Sequence, residues 1–171
     1  MKNRIMVMMI LGVMVAGQGW ADTDKMPQPK PGSAEFERIK ALAGVWKGTS
    51  ETDGKTEPAE IDYKVTSMGS AVVETLFPGT PHEMVSIYHD NDDGKLSMTH
   101  YCGLGNRPEL DLKKADNDRL EFELSPLSHL AATQHMHGLN LDLSGGAVKQ
   151  TWTCFKDGHQ DHTTIISVKK V

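Results

Sequence analysis

The stretch that decides the fold reads Gln134-His135-Met136-His137-Gly138-Leu139-Asn140-Leu141-Asp142-Leu143. Successive residues of a β-strand point to opposite faces, so His135, His137 and the three leucines share one face. The pattern predicts a strand whose buried face changes from polar to apolar along its length. Such a face is typical of a β-barrel that holds a molecule near its mouth.

Nine further segments predict strands, because apolar and β-branched runs are separated by short turn signals. The ten predicted strands span 45–51, 59–66, 70–77, 83–89, 95–102, 109–114, 119–124, 133–143, 148–155 and 162–169. Ser33 predicts the N-cap of one short helix that ends near Ala43, with Gly44 as its stop signal. This order predicts an all-β fold, an up-and-down antiparallel β-barrel of about ten strands with a short N-terminal helix.

The connections between these strands predict one closed end and one open end. At one end they are short and rich in Gly, Asn or Asp, as in tight hairpins. These connections cover 67–69, 90–94, 115–118 and 144–147. At the other end they cover 52–58, 78–82, 103–108, 125–132 and 156–161, and they carry prolines, histidines and Arg107. The longer set predicts an open mouth.

The first 21 residues predict a secretory signal peptide. Lys2 and Arg4 precede an apolar run, and Gly19-Trp20-Ala21 has the small residues of a cleavage site. We therefore expect an exported protein, periplasmic or secreted, with a Pro-rich leader at 22–32 and one barrel domain at 33–171. The apolar run is too short to predict a stable membrane span.

The charge of the chain argues against two classes of partner. The whole chain has a formal charge of −5, and loss of Lys2 and Arg4 with the signal peptide takes −5 to −7. An acidic chain without Lys/Arg runs favours neither nucleic acid nor an anionic membrane surface. The sequence also lacks a P-loop, a dinucleotide fingerprint and a Ser nucleophile elbow.

One sequence motif carries a family resemblance. Gly44-Val45-Trp46 follows the predicted helix and opens the first predicted strand at the closed end. It resembles the Gly-x-Trp signature of lipocalins and the wider calycin group. The segments 74–84, 99–102 and 135–137, with Trp152, also resemble an uncharacterised family of bacterial exported lipocalin-like proteins. The resemblance implies a ligand-holding barrel without naming a substrate. Ten predicted strands differ from the eight of lipocalins and are closer to fatty-acid-binding or nitrobindin-like barrels.

Strand pairing predicts which polar residues share the lumen. A hairpin across 144–147 places Leu141 opposite Gln150, Leu139 opposite Trp152 and His137 opposite Cys154. His100 and Cys102 alternate inward near the mouth of another strand. The candidate ligand-binding residues are His100, Cys102, His135, His137, Leu139, Trp152, Glu74 and Arg107, with Met98, Val85 and Leu141 completing an apolar wall. We expect a small apolar or amphipathic ligand as the partner.

The imidazoles allow three interpretations. His135 and His137, completed by His100 or Cys154, could bind a metal ion, with zinc as the first candidate. One imidazole could instead hold haem without a covalent link, because the Cys-x-x-Cys-His motif is absent. The histidines could equally be polar residues of a wet lumen. The corresponding functions are a small-molecule-binding barrel, a metal- or haem-dependent barrel enzyme, and an envelope protein-interaction module whose lumen is filled by side chains.

The two cysteines leave a further choice open. Cys102 and Cys154 lie on the fifth and ninth predicted strands, and a disulfide requires Cα atoms within about 7 Å. Export favours a disulfide, whereas non-adjacent strands oppose it. Free thiols beside histidine would be candidate ligands or redox-sensitive groups.

Overall fold

The computed structural model describes residues 31–128, 130 and 133–171, so the predicted signal peptide lies outside the described residues. Helix α1 spans Ala34–Lys40. The strands are β1 Gly44–Thr52, β2 Lys55–Thr66, β3 Ala71–Leu76, β4 Met84–Asp90, β5 Leu96–Tyr101, β6 Glu109–Ala115, β7 Arg119–Leu124, β8 His135–Asp142, β9 Ala147–Lys156 and β10 His159–Lys170. Each strand pairs antiparallel with its sequence neighbours, and β1 pairs with β10 to close the barrel. The predicted fold class is confirmed. No helix in the described part of the chain is long and apolar enough to cross a membrane.

Two connections predicted as long mouth loops are tight hairpins. The turn between β1 and β2 consists of Asp53 and Gly54, and the turn between β9 and β10 of Asp157 and Gly158. All four residues have positive φ, from 50° to 77°. Two successive positive φ values define a type I′ turn, which Asp-Gly favours. These four strands therefore extend further toward the mouth than the sequence predicted.

Helix α1 covers the closed end of the barrel. Ser33 is its N-cap, as predicted: its Oγ accepts a hydrogen bond from the backbone N–H of Phe36 at 3.1 Å and donates to Asp90 at 2.8 Å. Phe36 and Ile39 are buried against the barrel. The helix ends at Lys40, three residues before the predicted end. The apolar core is therefore covered at this end, and the lumen opens at the other.

Strand β1 is held closely on both sides at the closed end. The indole N–H of Trp46 donates to the carbonyl of Leu42 at 2.7 Å, and the Lys170 ammonium lies 5.7 Å from the Trp46 ring centroid. A Cβ on Gly48 would lie 2.0 Å from the backbone oxygen of Ser167. Glycine at position 48 therefore allows β1 and β10 to approach closely enough to close the barrel.

A β-bulge changes which residues of β8 face the lumen. Met136 pairs with Cys154 and Gly138 pairs with Thr153, which leaves His137 as an extra residue without a partner on β9. A bulge of this kind shifts the alternation of side chains by one position. Met136, which shares a face with the inward Cys154, therefore points into the lumen.

The bulge overturns one prediction and leaves another intact. Leu139 and Leu141 lie opposite Trp152 and Gln150, as predicted. On the mouth side of the bulge, however, His135 pairs with Phe155, whose side chain points away from the lumen because its neighbour Cys154 points inward. The prediction that His135 and His137 face the lumen, with His137 opposite Cys154, is wrong.

Candidate ligand-binding site in the barrel lumen

A cavity of about 810 Å³ lies at the mouth end of the barrel and opens to solvent. Its volume falls in the range of small-molecule sites. Its apolar lining comprises Leu76, Phe77, Met84, Met136, Trp152 and Ile166. Its polar lining comprises Ser50, Thr52, Asp53, Lys55, Glu57, Thr80, His82, His100 and Thr164, with Pro58 completing the wall. The cavity therefore suits a molecule with both apolar and polar parts.

His100 is the deeply buried polar residue of this cavity. Its side chain is 1% exposed, and its ring centroid lies 4.7 Å from that of Trp152. Trp152 is fixed in turn, because its indole N–H donates to Gln150 Oε1 at 2.8 Å. Burial lowers the pKa of His100 to about 4, so its imidazole is neutral at neutral pH. A neutral imidazole has one N–H donor and one acceptor nitrogen.

Glu74 lies behind His100 in a fully buried network of donors. Tyr88 donates its hydroxyl to Glu74 Oε2 at 3.3 Å, and Gln150 Nε2 donates to Glu74 Oε1. Gln150 Nε2 also donates to the Tyr63 hydroxyl at 2.8 Å, and Tyr63 and Ser86 lie opposite Glu74 on the two neighbouring strands. The donors Tyr88 and Gln150 therefore offset part of the cost of burying the carboxylate.

Burial sets the protonation of this network. It raises the pKa of Glu74, while the polar side chains around the carboxylate act in the opposite direction, namely those of Tyr63, Ser86, Gln150 and Tyr88. Burial, and then the charge of Glu74, also raises the pKa of Tyr63 and of Tyr88 well above the usual value. Both phenols therefore keep their protons at neutral pH and serve as donors.

Ser86 holds one ring nitrogen of His100 and leaves the other without a partner. Ser86 Oγ lies 3.0 Å from His100 Nδ1, and Ser86 pairs with Glu74 on the neighbouring strand. Either atom can supply the proton of this hydrogen bond, since a hydroxyl both donates and accepts. The other ring nitrogen, Nε2, is buried, and no described residue offers it a hydrogen-bond partner.

The structure brings three of the predicted site residues together. His100 and Trp152 line the cavity, and Ser86 lies between Glu74 and His100 on the intervening strand. Leu139, Leu141 and Met98 point inward but pack in the apolar core and do not line the cavity. Val85 was predicted in the apolar wall, but it faces outward because the adjacent Ser86 faces inward.

Two predicted ligand-binding residues lie apart from the cavity lining. Arg107 is exposed and pairs with Glu109 at 3.3 Å. Cys102 is half-buried just after β5, and burial raises the pKa of its thiol. Cys102 and Cys154 are both free thiols in the structure. The roles predicted for these residues remain predictions.

The predicted metal set is divided between two faces of the sheet. His100 and Cys154 belong to the inward face, whereas His135 and His137 lie on the outward face beside Phe155. His137 stacks on the Phe155 ring at 3.8 Å, and its Nδ1 lies 3.1 Å from His135 Nε2. Burial, and then the neighbouring His135, lowers the pKa of His137. These four residues therefore do not form one metal site.

Sequence reasoning missed the residues that support His100. These residues occupy inward positions of their strands, namely Tyr63, Ser86, Tyr88 and Gln150. Polar side chains at inward positions were the signal in the sequence that could have identified a buried hydrogen-bond network. Met136 was missed because the bulge is invisible in the alternation. The one signal for that bulge was Gly138, since an isolated glycine within a strand often marks one.

No family model matches the sequence, and none of the curated proteins searched matches it significantly.

Proposed function

We propose that the barrel binds a small, partly apolar molecule through its mouth and hydrogen-bonds the inner end of that molecule to His100 Nε2. In this proposal the His100 proton lies on Nδ1, toward Ser86 Oγ, and Nε2 is the acceptor. One observation carries the proposal: a buried ring nitrogen of His100 without a partner among the described residues borders a cavity of about 810 Å³. An unsatisfied buried polar atom costs about 1–3 kcal/mol, which a ligand donor would recover.

The lining of the cavity defines the chemistry of the ligand. Leu76, Met84 and Ile166 form an apolar wall, whereas Lys55 and Glu57 lie at the mouth end of β2. A ligand with an apolar body would pack against this wall, and a neutral N–H or O–H group at its inner end would donate to His100. A cavity of this size counts against the interaction-module alternative, which requires a lumen filled by side chains.

Backbone strain at Phe77 supports the same location. Phe77 has a φ of 54°, which is rare for a bulky residue, and it lines the cavity. Its conformation is held by a hydrogen bond from its N–H to the carbonyl of Glu60 at 2.9 Å. Strained residues of this kind cluster at ligand-binding sites, where the surrounding structure compensates for the strain.

A matched pair of small molecules tests the proposed hydrogen bond. Para-butylphenol carries an O–H donor, and para-butylanisole replaces that proton with a methyl group. We expect the phenol to bind about fivefold more tightly, as one net hydrogen bond is worth about 1 kcal/mol. Quenching of Trp152 fluorescence reports binding, because Trp152 lines the cavity.

Two variants locate the preference. His100→Leu removes the acceptor and should make the two affinities equal. His137→Leu changes a histidine on the outer face and should leave the preference unchanged. Equal binding of phenol and anisole by the unmodified protein, or a preference that survives in His100→Leu, contradicts the proposal.

A second candidate occupant is an iron porphyrin, bound without a covalent link. The specific observation in its favour is the buried His100 Nε2, which has no partner among the described residues and whose ring is hydrogen-bonded to Ser86 beside Glu74. A carboxylate behind an imidazole raises its basicity and orients it as an axial ligand. Titration with haemin tests this candidate. A Soret band that shifts on addition of the His137→Leu protein but not of the His100→Leu protein supports it. Absence of a shift with the unmodified protein excludes it.

We further propose that the protein is exported as a calycin-type barrel. The support for export is the charged, apolar and small-residue order of residues 1–21. The support for the calycin likeness is Gly44-Val45-Trp46 at the start of β1 beside the closing helix. Cell fractionation and N-terminal sequencing test export: a cleaved product that begins near Asp22 outside the cytoplasm is expected, and a full-length cytoplasmic product contradicts it.

A further inference from the structure

We propose that Cys154, Asp161 and His162 form a binding site for a divalent transition-metal ion, with Zn²⁺ as the preferred ion. Each residue offers one ligand atom, and these three atoms lie within 4.8 Å of one another. The set combines a thiol, a carboxylate and an imidazole, which are the three ligand types of protein zinc sites. This site is separate from the acceptor nitrogen of His100, and it goes beyond the binding of a small organic ligand.

A second β-bulge assembles the three ligands. On β10, Gln160 pairs with Phe155 and His162 pairs with Cys154, so Asp161 is an extra residue opposite β9. The extra residue of a bulge re-aims its side chain and that of its neighbour. Asp161 and His162 are thereby both brought to Cys154, although regular alternation would place two successive residues on opposite faces.

The separations suit a tetrahedral ion after a small contraction. Zn–S bonds of about 2.3 Å and Zn–N or Zn–O bonds of about 2.0–2.2 Å give ligand-to-ligand distances of about 3.3–3.7 Å. The present separations of up to 4.8 Å need side-chain movements of about 1 Å. His162 Nδ1 and Asp161 Oδ2 already lie 2.9 Å apart. On binding, Cys154 releases its thiol proton to solvent and its sulfur bonds to the ion as a thiolate.

Gln134 is placed to complete the coordination. Its Nε2 lies 3.3 Å from Asp161 Oδ2 and 3.9 Å from Cys154 Sγ. Its backbone carbonyl accepts a hydrogen bond from Asn106 Nδ2 at 2.6 Å, which holds the residue in place. Rotation of the side-chain amide by about 180° exchanges the positions of its nitrogen and its oxygen. The amide oxygen would then be a neutral fourth ligand of the ion.

The ligand types also select among ions. Thiolate and imidazole favour borderline and soft metals, whereas Ca²⁺ and Mg²⁺ require sets of oxygen ligands. Asp161 is exposed and His162 is half-buried, so an ion has a path from solvent. Cys154 is 1% exposed and supplies the buried anchor of the site. We therefore expect Zn²⁺ to bind and Mg²⁺ to have no effect.

Calorimetric titration of the reduced full chain with ZnCl₂ tests the inference. One equivalent of Zn²⁺ should bind, and each of Cys154→Ser, Asp161→Asn and His162→Ala should weaken binding by about tenfold or more. His159→Ala removes an exposed histidine of the same hairpin and should bind as the unmodified protein does. Circular dichroism of every variant shows whether it is folded.

Two further experiments separate this site from its alternatives. Cys102→Ser prevents a Cys102 to Cys154 disulfide and should retain Zn²⁺ binding. Co²⁺ substitution should give a thiolate-to-metal charge-transfer band in the Cys102→Ser protein that is lost when Cys154→Ser is added. The inference is overturned by absence of stoichiometric Zn²⁺ binding in the reduced protein. It is equally overturned by binding that survives in His162→Ala or that is lost in His137→Ala.

Discussion

Lowering the pH from about 7 to about 4 should destabilise the barrel through His100. In the unfolded chain its imidazole has an ordinary pKa near 6.5, whereas burial lowers the pKa to about 4 in the folded protein. Between these values the unfolded chain binds more protons, so the free energy of unfolding falls as the pH falls. The difference corresponds to about 3 kcal/mol, present at neutral pH and lost as the pH falls through about 4.

Urea denaturation over this pH range measures the effect. Burial raises the pKa of Glu74, so this residue favours the folded state at acidic pH and acts against His100. The informative quantity is therefore the difference in unfolding free energy between the unmodified protein and His100→Gln. Relative to the unmodified protein, His100→Gln should gain about 3 kcal/mol between neutral and acidic pH. His159→Gln, at an exposed position, is the control and should give a constant difference.

One outcome refutes this reasoning. If the difference between the unmodified protein and His100→Gln stays constant within about 0.5 kcal/mol from neutral pH to about pH 4, His100 is not a buried neutral imidazole. Nε2 would then not offer a free lone pair to a ligand.

Three further predictions concern the network, the barrel closure and the helix cap, each measured by urea denaturation at neutral pH. Glu74→Leu leaves several buried donors without an acceptor and should cost about 3–5 kcal/mol; equal stability would show that the donors find other partners. Gly48→Ala should lower the free energy of unfolding by about 1–3 kcal/mol, since its Cβ would meet a backbone oxygen at 2.0 Å. The control Gly103→Ala, whose Cβ would meet no atom under 3.7 Å, should cost far less. Similar losses of stability in the two variants would contradict the close approach of β1 and β10. Ser33→Ala should cost about 1–2 kcal/mol through loss of the N-cap, and no loss would show that the cap is dispensable.

The fold was largely predictable because strand patterns and turn residues agree along most of the chain. All ten strands and the helix exist, and the N-cap at Ser33 is confirmed. The bounds were less predictable at the mouth. Asp53-Gly54 and Asp157-Gly158 were absorbed into longer predicted loops, although Asp-Gly is a strong hairpin signal.

The candidate site was only partly predictable, because register depends on tertiary pairing. His100, Trp152 and Glu74 were placed inward by simple alternation, and this placement holds. His135 and His137 obey the same alternation in sequence, yet the bulge before Gly138 moves them to the outer face. A bulge shifts the pairing register by one residue, and the pattern of apolar residues in the sequence does not indicate where it occurs.

The contacts of the network around His100 could not be predicted from the sequence for a different reason. Glu74, Ser86 and His100 lie on three successive strands, and only their shared register brings them into contact. The same holds for Gln150, which reaches Glu74 from across the barrel. Long-range pairing of this kind is set by closure of the sheet and not by local residue preference.

A nitrogen-15 NMR measurement of the His100 ring, with and without para-butylphenol, tests most directly whether His100 receives the ligand. We expect a neutral ring protonated on Nδ1, with an unprotonated Nε2 whose resonance shifts when the phenol binds and does not shift with para-butylanisole. A ring protonated on Nε2, or an Nε2 resonance that the phenol leaves unchanged, would contradict the claim that His100 receives the ligand.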